Sequence, residues 1–110
     1  MENSNLAEEV TRLHADICSA MADPNRIMLI YALSNHACNV SDLAAQVGIS
    51  QPAASRHLKI LRDRGLVRPM RLGANVVYSL TDNRLVEALD LLRAILRDRI
   101  NYRASIMENE

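Results

Sequence analysis

Hydrophobic residues in the first part of the chain recur every three or four positions, which is the spacing of one face of an α-helix. This stripe consists of Leu6, Val10, Leu13, Ile17 and Met21. It predicts a first helix over about residues 5–22. Asp23 and Pro24 are typical of a new helix start, because Asp caps free N–H groups and Pro fits the first turn. A second, largely buried helix is therefore predicted from about Pro24 to Ser34.

Two short helices are predicted next. Asn39 is a capping residue, and the apolar positions that follow it stop at Gly48, which is a helix terminator. Ser50 then caps a fourth helix from about Gln51 to Arg64. Two short helices joined by a tight turn are typical of a helix-turn-helix, here over about residues 39–64, whose second helix enters the major groove of DNA.

The last third of the chain predicts a hairpin and a long helix. Two β-prone runs flank a polar connection over residues 72–75, so a hairpin, or wing, is predicted over about residues 66–80. Apolar positions at helical spacing then predict a helix over about residues 82–104, followed by a frayed tail over residues 105–110. This helix is more apolar than one small domain could cover.

Length and composition favour a single mainly α domain, residues 1–110, with a small β-hairpin. The 110 residues are 49% hydrophobic and include no Phe or Trp, so the core must be built from aliphatic side chains on helices. No apolar run is long enough to span a membrane and no signal peptide is visible, which predicts a cytoplasmic protein without a membrane partner. No nucleophile motif or phosphate loop is present, so an enzyme is not predicted.

Charge is distributed unevenly, although the formal net charge is zero. Between Gln51 and Asn75 lie six basic residues and one acidic residue, which gives this segment a balance of 6 − 1 = +5. The segment, called the basic island below, contains Arg56, Lys59, Arg62, Arg64, Arg68 and Arg71 with Asp63. Clustered cations beside a helix-turn-helix predict double-stranded DNA as the partner. A solvated helix face would carry similar charges, so the island alone leaves both interpretations open.

Helical periodicity assigns two faces to the fourth helix. Ala54, Leu58 and Leu61 share one face and are expected to pack inward. The DNA contacts predicted for this helix and the wing are Ser50, Gln51, Ala53, Ser55, Arg56, His57, Lys59, Arg62, Arg68 and Arg71. Gln51 can read adenine and Arg56 guanine through bidentate hydrogen bonds. The wing arginines are expected at phosphates or in the minor groove. His57 is either a phosphate contact or a structural residue.

Four segments carry a resemblance to a known family. They are Ala22-Asp23-Pro24-Asn25-Arg26-Ile27, Val40-Ser41-Asp42-Leu43-Ala44, residues 50–61 (SQPAASRHLKIL) and Gly65-Leu66-Val67. Together they resemble the ArsR/SmtB repressors over roughly residues 8–100. The resemblance implies a winged helix-turn-helix with element order α-α-α-α-β-β-α and a homodimer paired through the first and last helices. It also implies release from operator DNA by metal or metalloid ions, or by thiol oxidation or persulfidation.

The sensor positions of that family mostly do not transfer to this chain. The zinc pattern Asp-x-His reads Asp82-Asn83-Arg84 here, so Arg stands where the family has His. The Cys-Val-Cys-Asp metal motif reads Asn39-Val40-Ser41-Asp42, without either thiol. The persulfide sensors carry a Cys in the second helix, where this chain has Tyr31, and another in the last helix, where it has none.

Two cysteines remain as candidate sensor thiols. Cys18 and Cys38 flank the helix-turn-helix, so the sequence predicts a repressor released by oxidation or a related cysteine modification. Both are also suited to a purely structural role as small buried residues. A second interpretation adds His14 and His36 as ligands for Zn²⁺ or another thiophilic metal or metalloid ion, although no cofactor is required. The same residues are compatible with a repressor that has no small inducer, and with a protein-interaction module that does not bind DNA.

Overall fold

The first helical segment is not uniform. The computed structural model describes residues 3–108, so residues 1, 2, 109 and 110 of the predicted domain lie outside the described residues. Helix α1 spans Asn3–Leu13, continues as a π-helical segment, His14–Cys18, and ends in a 3-10 turn, Ala20–Ala22. We call residues 14–22 the elbow. The prediction of one regular helix over 5–22 was wrong here, because the Ser19 N–H bonds to the His14 carbonyl, five residues back.

Helix α2 spans Pro24–Asn35 and is the central helix of the fold. Its start was predicted correctly, since the Asp23 carboxylate accepts a hydrogen bond from the Asn25 N–H at 2.8 Å. Leu29, Ile30 and Leu33 are buried, as expected for a helix with apolar residues on most sides. The apolar core therefore forms around α2, and the neighbouring helices are positioned against it.

The helix-turn-helix consists of α3, Val40–Val47, and α4, Gln51–Asp63. Both predicted caps are formed: the Asn39 side chain accepts from the Asp42 N–H at 2.7 Å, and the Ser50 hydroxyl accepts from the Ala53 N–H at 3.2 Å. Gly48 ends α3 with a φ of 80°, a conformation that other residues adopt only with strain. These local interactions fix the angle at which α4 leaves the turn.

A three-stranded antiparallel sheet follows the order β1-β3-β2. Strand β1 is Cys38–Asn39, β2 is Val67–Leu72 and β3 is Asn75–Leu80. The predicted hairpin is present, but its connection is only residues 73 and 74, because the ladder continues to the pair Leu72 and Asn75. Gly73 has a φ of 64°, as a two-residue type II′ turn requires. Strand β1 was not predicted, since two residues are too few to show alternation.

Helix α5 spans Arg84–Glu108, and Leu89 is its one buried residue among those described. The prediction that the tail frays was wrong for residues 105–108, which continue the helix; residues 109 and 110 are not described. Within residues 3–108, no helix is both long enough and apolar enough to cross a membrane.

The core unites these elements. Its buried members are Ala20, Leu29, Ile30, Leu33, Cys38, Leu43, Leu58, Leu61, Leu66, Val67 and Leu89. They come from the elbow, α2, the helix-turn-helix, the sheet and α5. Helix α4 contributes Leu58 and Leu61, which are 0% exposed. The core thus sets which face of α4 remains outside.

Candidate nucleic-acid interface

Helix α4 presents a polar face to solvent. Ala54, Leu58 and Leu61 are fully buried, as their spacing predicted. The predicted DNA contacts that lie exposed on or next to α4 are Ser50, Gln51, Ser55, Arg56, Lys59 and Arg62. Ala53 and His57 are half-buried at the border of this face. The surface of α4 therefore offers amide, hydroxyl and guanidinium groups, which are the groups that hydrogen-bond base edges and phosphates.

The exposed face of α4 borders two different parts of the molecule. At about 100° per residue, Lys59 and Arg56 point away from the buried row, while Arg62 and His57 lie on opposite flanks. Arg62 lies on the flank next to the wing, where it lines a cleft with wing residues. His57 lies on the flank next to α2, where it contacts Arg26. The two flanks can therefore meet different segments of a bound duplex.

A cleft of about 420 Å³ separates α4 from the wing. Its lining includes Arg62 from α4 and Arg71 from β2, together with Tyr78 from β3. Among the described residues, neither arginine has an acidic side chain within ion-pair distance. Two unpaired guanidinium groups in a concave surface attract an anion such as a backbone phosphate. Tyr78 was not among the predicted site residues.

The two wing arginines do not share a face. Side chains alternate along a strand, so Arg68 and Arg71, three positions apart in β2, point to opposite sides of the sheet. Arg71 is paired with Val76 and shares the cleft face, whereas Arg68 is paired with Ser79 and lies on the other face with Met70. The sequence predicted that both arginines bind phosphates or the minor groove, but only Arg71 lies beside α4.

Two further members of the basic island have partners within the protein. The Lys59 ammonium forms an exposed ion pair with Asp63, at 3.2 Å, one helical turn away. The Arg64 guanidinium donates to the Ala15 carbonyl and, at 2.9 Å, to the Ser19 hydroxyl. Both acceptors of Arg64 belong to the elbow. Arg64 therefore ties the end of α4 to the first helical segment and is not part of the exposed face of α4.

Arg26 contacts both His57 on α4 and the elbow, and the sequence analysis did not predict these contacts. Its guanidinium lies 3.3 Å from Nδ1 of His57 and donates to the Ala20 carbonyl at 2.6 Å. Its side chain is only 13% exposed. One feature of the sequence could have indicated these contacts: Arg26 is an isolated arginine in the first turn of a mostly apolar helix. A cation buried there needs several hydrogen-bond acceptors nearby.

Comparison with known proteins places this fold in a family. A family model described as bacterial regulatory protein, arsR family, matches residues 23–68. The transcriptional repressor SmtB homolog of Synechocystis is 46% identical over 66% of this chain, which spans 54% of that relative's length. The nodulation protein NolR of Rhizobium meliloti is 34% identical over 82% of this chain and 74% of its own. The chain belongs to the ArsR family.

The similarity extends to the fold of a solved transcriptional repressor. The crystal structure of the transcriptional repressor BigR from Xylella fastidiosa superimposes with a TM-score of 0.74. It is 27% identical in sequence and covers 86% of this chain and 96% of its own. This confirms the winged helix-turn-helix predicted from the sequence. The SmtB homolog and BigR are both described as transcriptional repressors, not as enzymes.

The two candidate sensor thiols of this ArsR-family chain lie in different environments. Cys18 is exposed on the elbow, whereas Cys38 is 4% exposed in β1, and both are free. The Cys38 sulfur lies 3.0 Å from Nδ1 of His36 and 3.6 Å from Nε2 of Gln46. In the sheet, Cys38 is paired with Tyr78, which lines the cleft between α4 and the wing. Gln46 was not predicted, because it approaches the thiol only when α3 is packed.

The four-residue metal site proposed from the sequence is not formed. Over the part of the chain that the structure describes, no three His, Cys, Asp or Glu side chains are close enough to hold a metal ion together. His36 and Cys38 are in contact, but His14 and Cys18 lie on the elbow and do not join them. Within the described residues of a single chain, the fold therefore keeps the two local pairs apart.

A polar contact joins α2 to α5. The Tyr31 hydroxyl donates to the Asp90 carboxylate at 2.7 Å, and the Arg93 guanidinium lies 5.2 Å from the centre of the Tyr31 ring. The Arg93 guanidinium also donates a hydrogen bond to the Tyr31 hydroxyl, and this bond raises the pKa of Arg93 above its ordinary value. The contact joins α5 to α2 at Tyr31, the position where the resemblance led us to look for a thiol in the second helix.

Apolar faces of α1 and α5 are exposed. On α1, Leu6, Val10 and Leu13 are each about half exposed. On α5, the exposed set is Leu91, Leu92, Ile95, Leu96, Ile100, Tyr102, Ile106 and Met107. Contiguous apolar surface of this extent marks an interaction site on a protein in water. These are the two helices that the resemblance implied as the dimer interface.

Proposed function

We propose that this ArsR-family chain is a homodimeric transcriptional repressor that binds operator DNA with α4 and the wing. The observation that carries the proposal is the exposed face of α4, with Arg56 and Lys59, beside the cleft that contains Arg62 and Arg71. Groups for base reading and groups for phosphate binding thus lie next to each other on one surface. A module that had lost DNA binding would have no need for this combination.

Each part of the surface has a separate task in the proposal. The first turns of α4 enter the major groove, where the small Ala53 allows a close approach and Gln51 and Arg56 bind base edges. Arg62 and Arg71 bind a backbone phosphate in the cleft, which adds affinity without sequence information. Loss of a good bidentate base contact costs about 1–3 kcal/mol of discrimination.

Fluorescence anisotropy with a duplex from upstream of the protein's own gene and a scrambled duplex tests this assignment. Arg56→Ala is expected to remove the preference for the operator, whereas Arg71→Ala weakens binding to both duplexes alike. Arg68→Ala is the matched control, because this arginine lies in the same strand on the opposite face. Wild-type protein without any preference for the operator would refute the proposed function, and equal losses for Arg56→Ala and Arg71→Ala would refute the assignment of the recognition helix.

The proposal includes a second copy of the chain as partner. The apolar faces of α1 and α5 are large for a monomer, and their helical spacing suits packing against the same faces of another protomer. A dimer presents two copies of α4 to half-sites about one helical turn apart. A dimer bound across a promoter represses by excluding RNA polymerase.

Cys38 is the better candidate for the thiol-directed signal that releases the operator. It lies between the residue that caps α3, Asn39, and the wing strand that contains Tyr78. Nδ1 of His36 lies 3.0 Å from the Cys38 sulfur, so a polar ring atom is within hydrogen-bond distance of the reacting thiol. With hydrogen peroxide, the sulfur attacks one oxygen, the O–O bond breaks, and sulfenic acid and water are formed. An added oxygen atom at this buried position displaces β1 from α3 or from Tyr78.

Single cysteine variants test the signal. Cys38→Ser is expected to keep operator binding but to lose its sensitivity to peroxide, and reductant should restore binding in the wild type. Cys18→Ser is the control and is expected to respond like the wild type, because Cys18 lies exposed on the elbow, whereas Cys38 is buried in β1 opposite Tyr78. An oxidant response that survives in Cys38→Ser refutes this role for Cys38. Binding that is indifferent to oxidant in the wild type favours a repressor without a thiol signal.

A further inference from the structure

The elbow between α1 and α2 is held by a largely buried arginine. The step from π-helical to 3-10 geometry leaves backbone carbonyls without the usual helical donors. Arg26 supplies these donors: its Nε lies 2.6 Å from the Ala20 carbonyl and its Nη2 lies 3.4 Å from the Ser19 carbonyl. The Asp23 carboxylate lies 4.0 Å from its Nη1. Arg26 is therefore fixed in position by two carbonyls of the elbow and by the carboxylate of the residue that follows it.

The same guanidinium determines the state of a histidine on α4. Nη1 of Arg26 lies 3.3 Å from Nδ1 of His57. A guanidinium has donors and no acceptor, so Nδ1 of His57 must accept and carry no proton. In a neutral imidazole the proton then resides on Nε2, at the far edge of the ring.

His57 occupies the flank of α4 that faces away from the wing. It is half-buried, next to the fully buried Leu58 and the exposed Arg56. The Arg62 cleft lies on the opposite flank. When a helix lies in the major groove, the two flanking strands carry phosphates on both of its sides. An N–H donor on this flank therefore faces the strand that the wing does not reach.

We propose that Arg26 is a positioning residue, which holds His57 as a neutral Nε2–H donor to a DNA backbone phosphate on the flank of α4 opposite the wing. This inference rests on the proposed DNA-binding function. It assigns His57 a contact by hydrogen bonding and not by charge. Because Arg26 also binds the elbow, the position of this donor follows the geometry of the first helical segment.

Two amide substitutions of His57 separate the two edges of its ring. Asparagine in His57→Asn has an acceptor near the position of Nδ1, so it keeps the contact with Arg26 but has no donor at the far edge. Glutamine in His57→Gln reaches the position of Nε2 with its amide N–H but offers Arg26 no acceptor near Nδ1. Neither substitution alters the core residues of α4.

Anisotropy titrations with operator and scrambled duplexes at several salt concentrations measure the result. His57→Asn is expected to weaken binding to both duplexes about tenfold or more, with the salt dependence unchanged, because a neutral donor releases no counterion. His57→Gln should lose less than about threefold. Wild-type affinity in His57→Asn would overturn the inference, and so would a salt slope reduced by about one unit per protomer, which would indicate a charged contact.

Nitrogen-15 NMR of the free protein near neutral pH tests the role of Arg26 independently of DNA. The His57 ring is expected to be protonated on Nε2 in the wild type and to populate both tautomers in Arg26→Gln. Protonation on Nδ1 in the wild type, or the same single tautomer in a folded Arg26→Gln, would overturn it. Wild-type protein that shows no operator preference in the titrations contradicts the proposed function instead, while the tautomer measurement still decides the role of Arg26.

Discussion

Removal of two leucines from the exposed face of α5 should separate the proposed dimer. Leu92 and Leu96 are 62% and 54% exposed in the single chain. Full burial of a leucine is worth about 1.5–3 kcal/mol, so covering these fractions contributes about 1–2 kcal/mol for each side chain. A symmetric dimer contains each side chain twice, and alanine keeps part of the contact. The double variant L92A/L96A should therefore weaken dimerisation by about 3–6 kcal/mol, or about 150- to 20,000-fold.

Sedimentation equilibrium over a range of protein concentrations measures this change directly. Leu72→Ala is the matched control, because Leu72 is 55% exposed but lies at the tip of the wing. The control should dimerise like the wild type. An unchanged dimerisation constant in L92A/L96A, or an equal loss in Leu72→Ala, would show that α5 is not the interface.

Three further predictions concern the charge of α4, the core and the start of α5. Asp63→Asn frees Lys59 from its ion pair and should raise affinity for a scrambled duplex about two- to fivefold, as measured by anisotropy; unchanged affinity would contradict it. Leu58→Ala should lower the free energy of unfolding by about 2–5 kcal/mol in urea, because Leu58 is 0% exposed, and a loss below about 1 kcal/mol would contradict tight packing. The side chain and backbone N–H of Arg84 lower the pKa of Asp82 from 3.8 to about 2. The contribution of Asp82 to the start of α5 should therefore be complete above its ordinary pKa and decline as the pH falls toward 2, and an NMR titration midpoint near 3.8 would refute this.

Local signals in the sequence predicted most of the fold. The caps Asp23, Asn39 and Ser50 act within three residues of their partners, so their effect could be recognised without a structure. The elbow was not predicted because its apolar residues keep the spacing of three and four that is typical of an α-helix. Its backbone hydrogen bonds nevertheless change from the α-helical to the π-helical and then to the 3-10 pattern. Strand β1 exists only because β3 is beside it, and such pairing is a tertiary property.

The candidate site was predictable only where a single element defines it. The buried row of α4 specifies its exposed face, so Arg56 could be assigned to that face from periodicity alone. The opposite directions of Arg68 and Arg71 also follow from their spacing in a strand. The sequence analysis did not use this spacing and predicted the same kind of DNA contact for both. The contacts of Arg26 and Arg64 could not be predicted. Both depend on carbonyls that the irregular elbow exposes to long side chains from other helices.

The directions of the basic side chains lead to a last prediction about the salt dependence of DNA binding. It distinguishes a simple count of cations in the sequence from the number that the structure leaves free to reach DNA. If all six cations in the basic island of each chain bound phosphates, a dimer would release counterions from up to twelve phosphates, and the salt slope would be about −11. In the structure, Arg64 binds the elbow and Arg68 lies on the face of the wing away from α4. Four cations remain in each protomer, or eight in a dimer, and the slope should be no steeper than about −7. Arg64→Ala should therefore leave the slope unchanged while it loosens the elbow, and a slope near −11 that declines in Arg64→Ala would show that Arg64 leaves Ala15 to bind DNA.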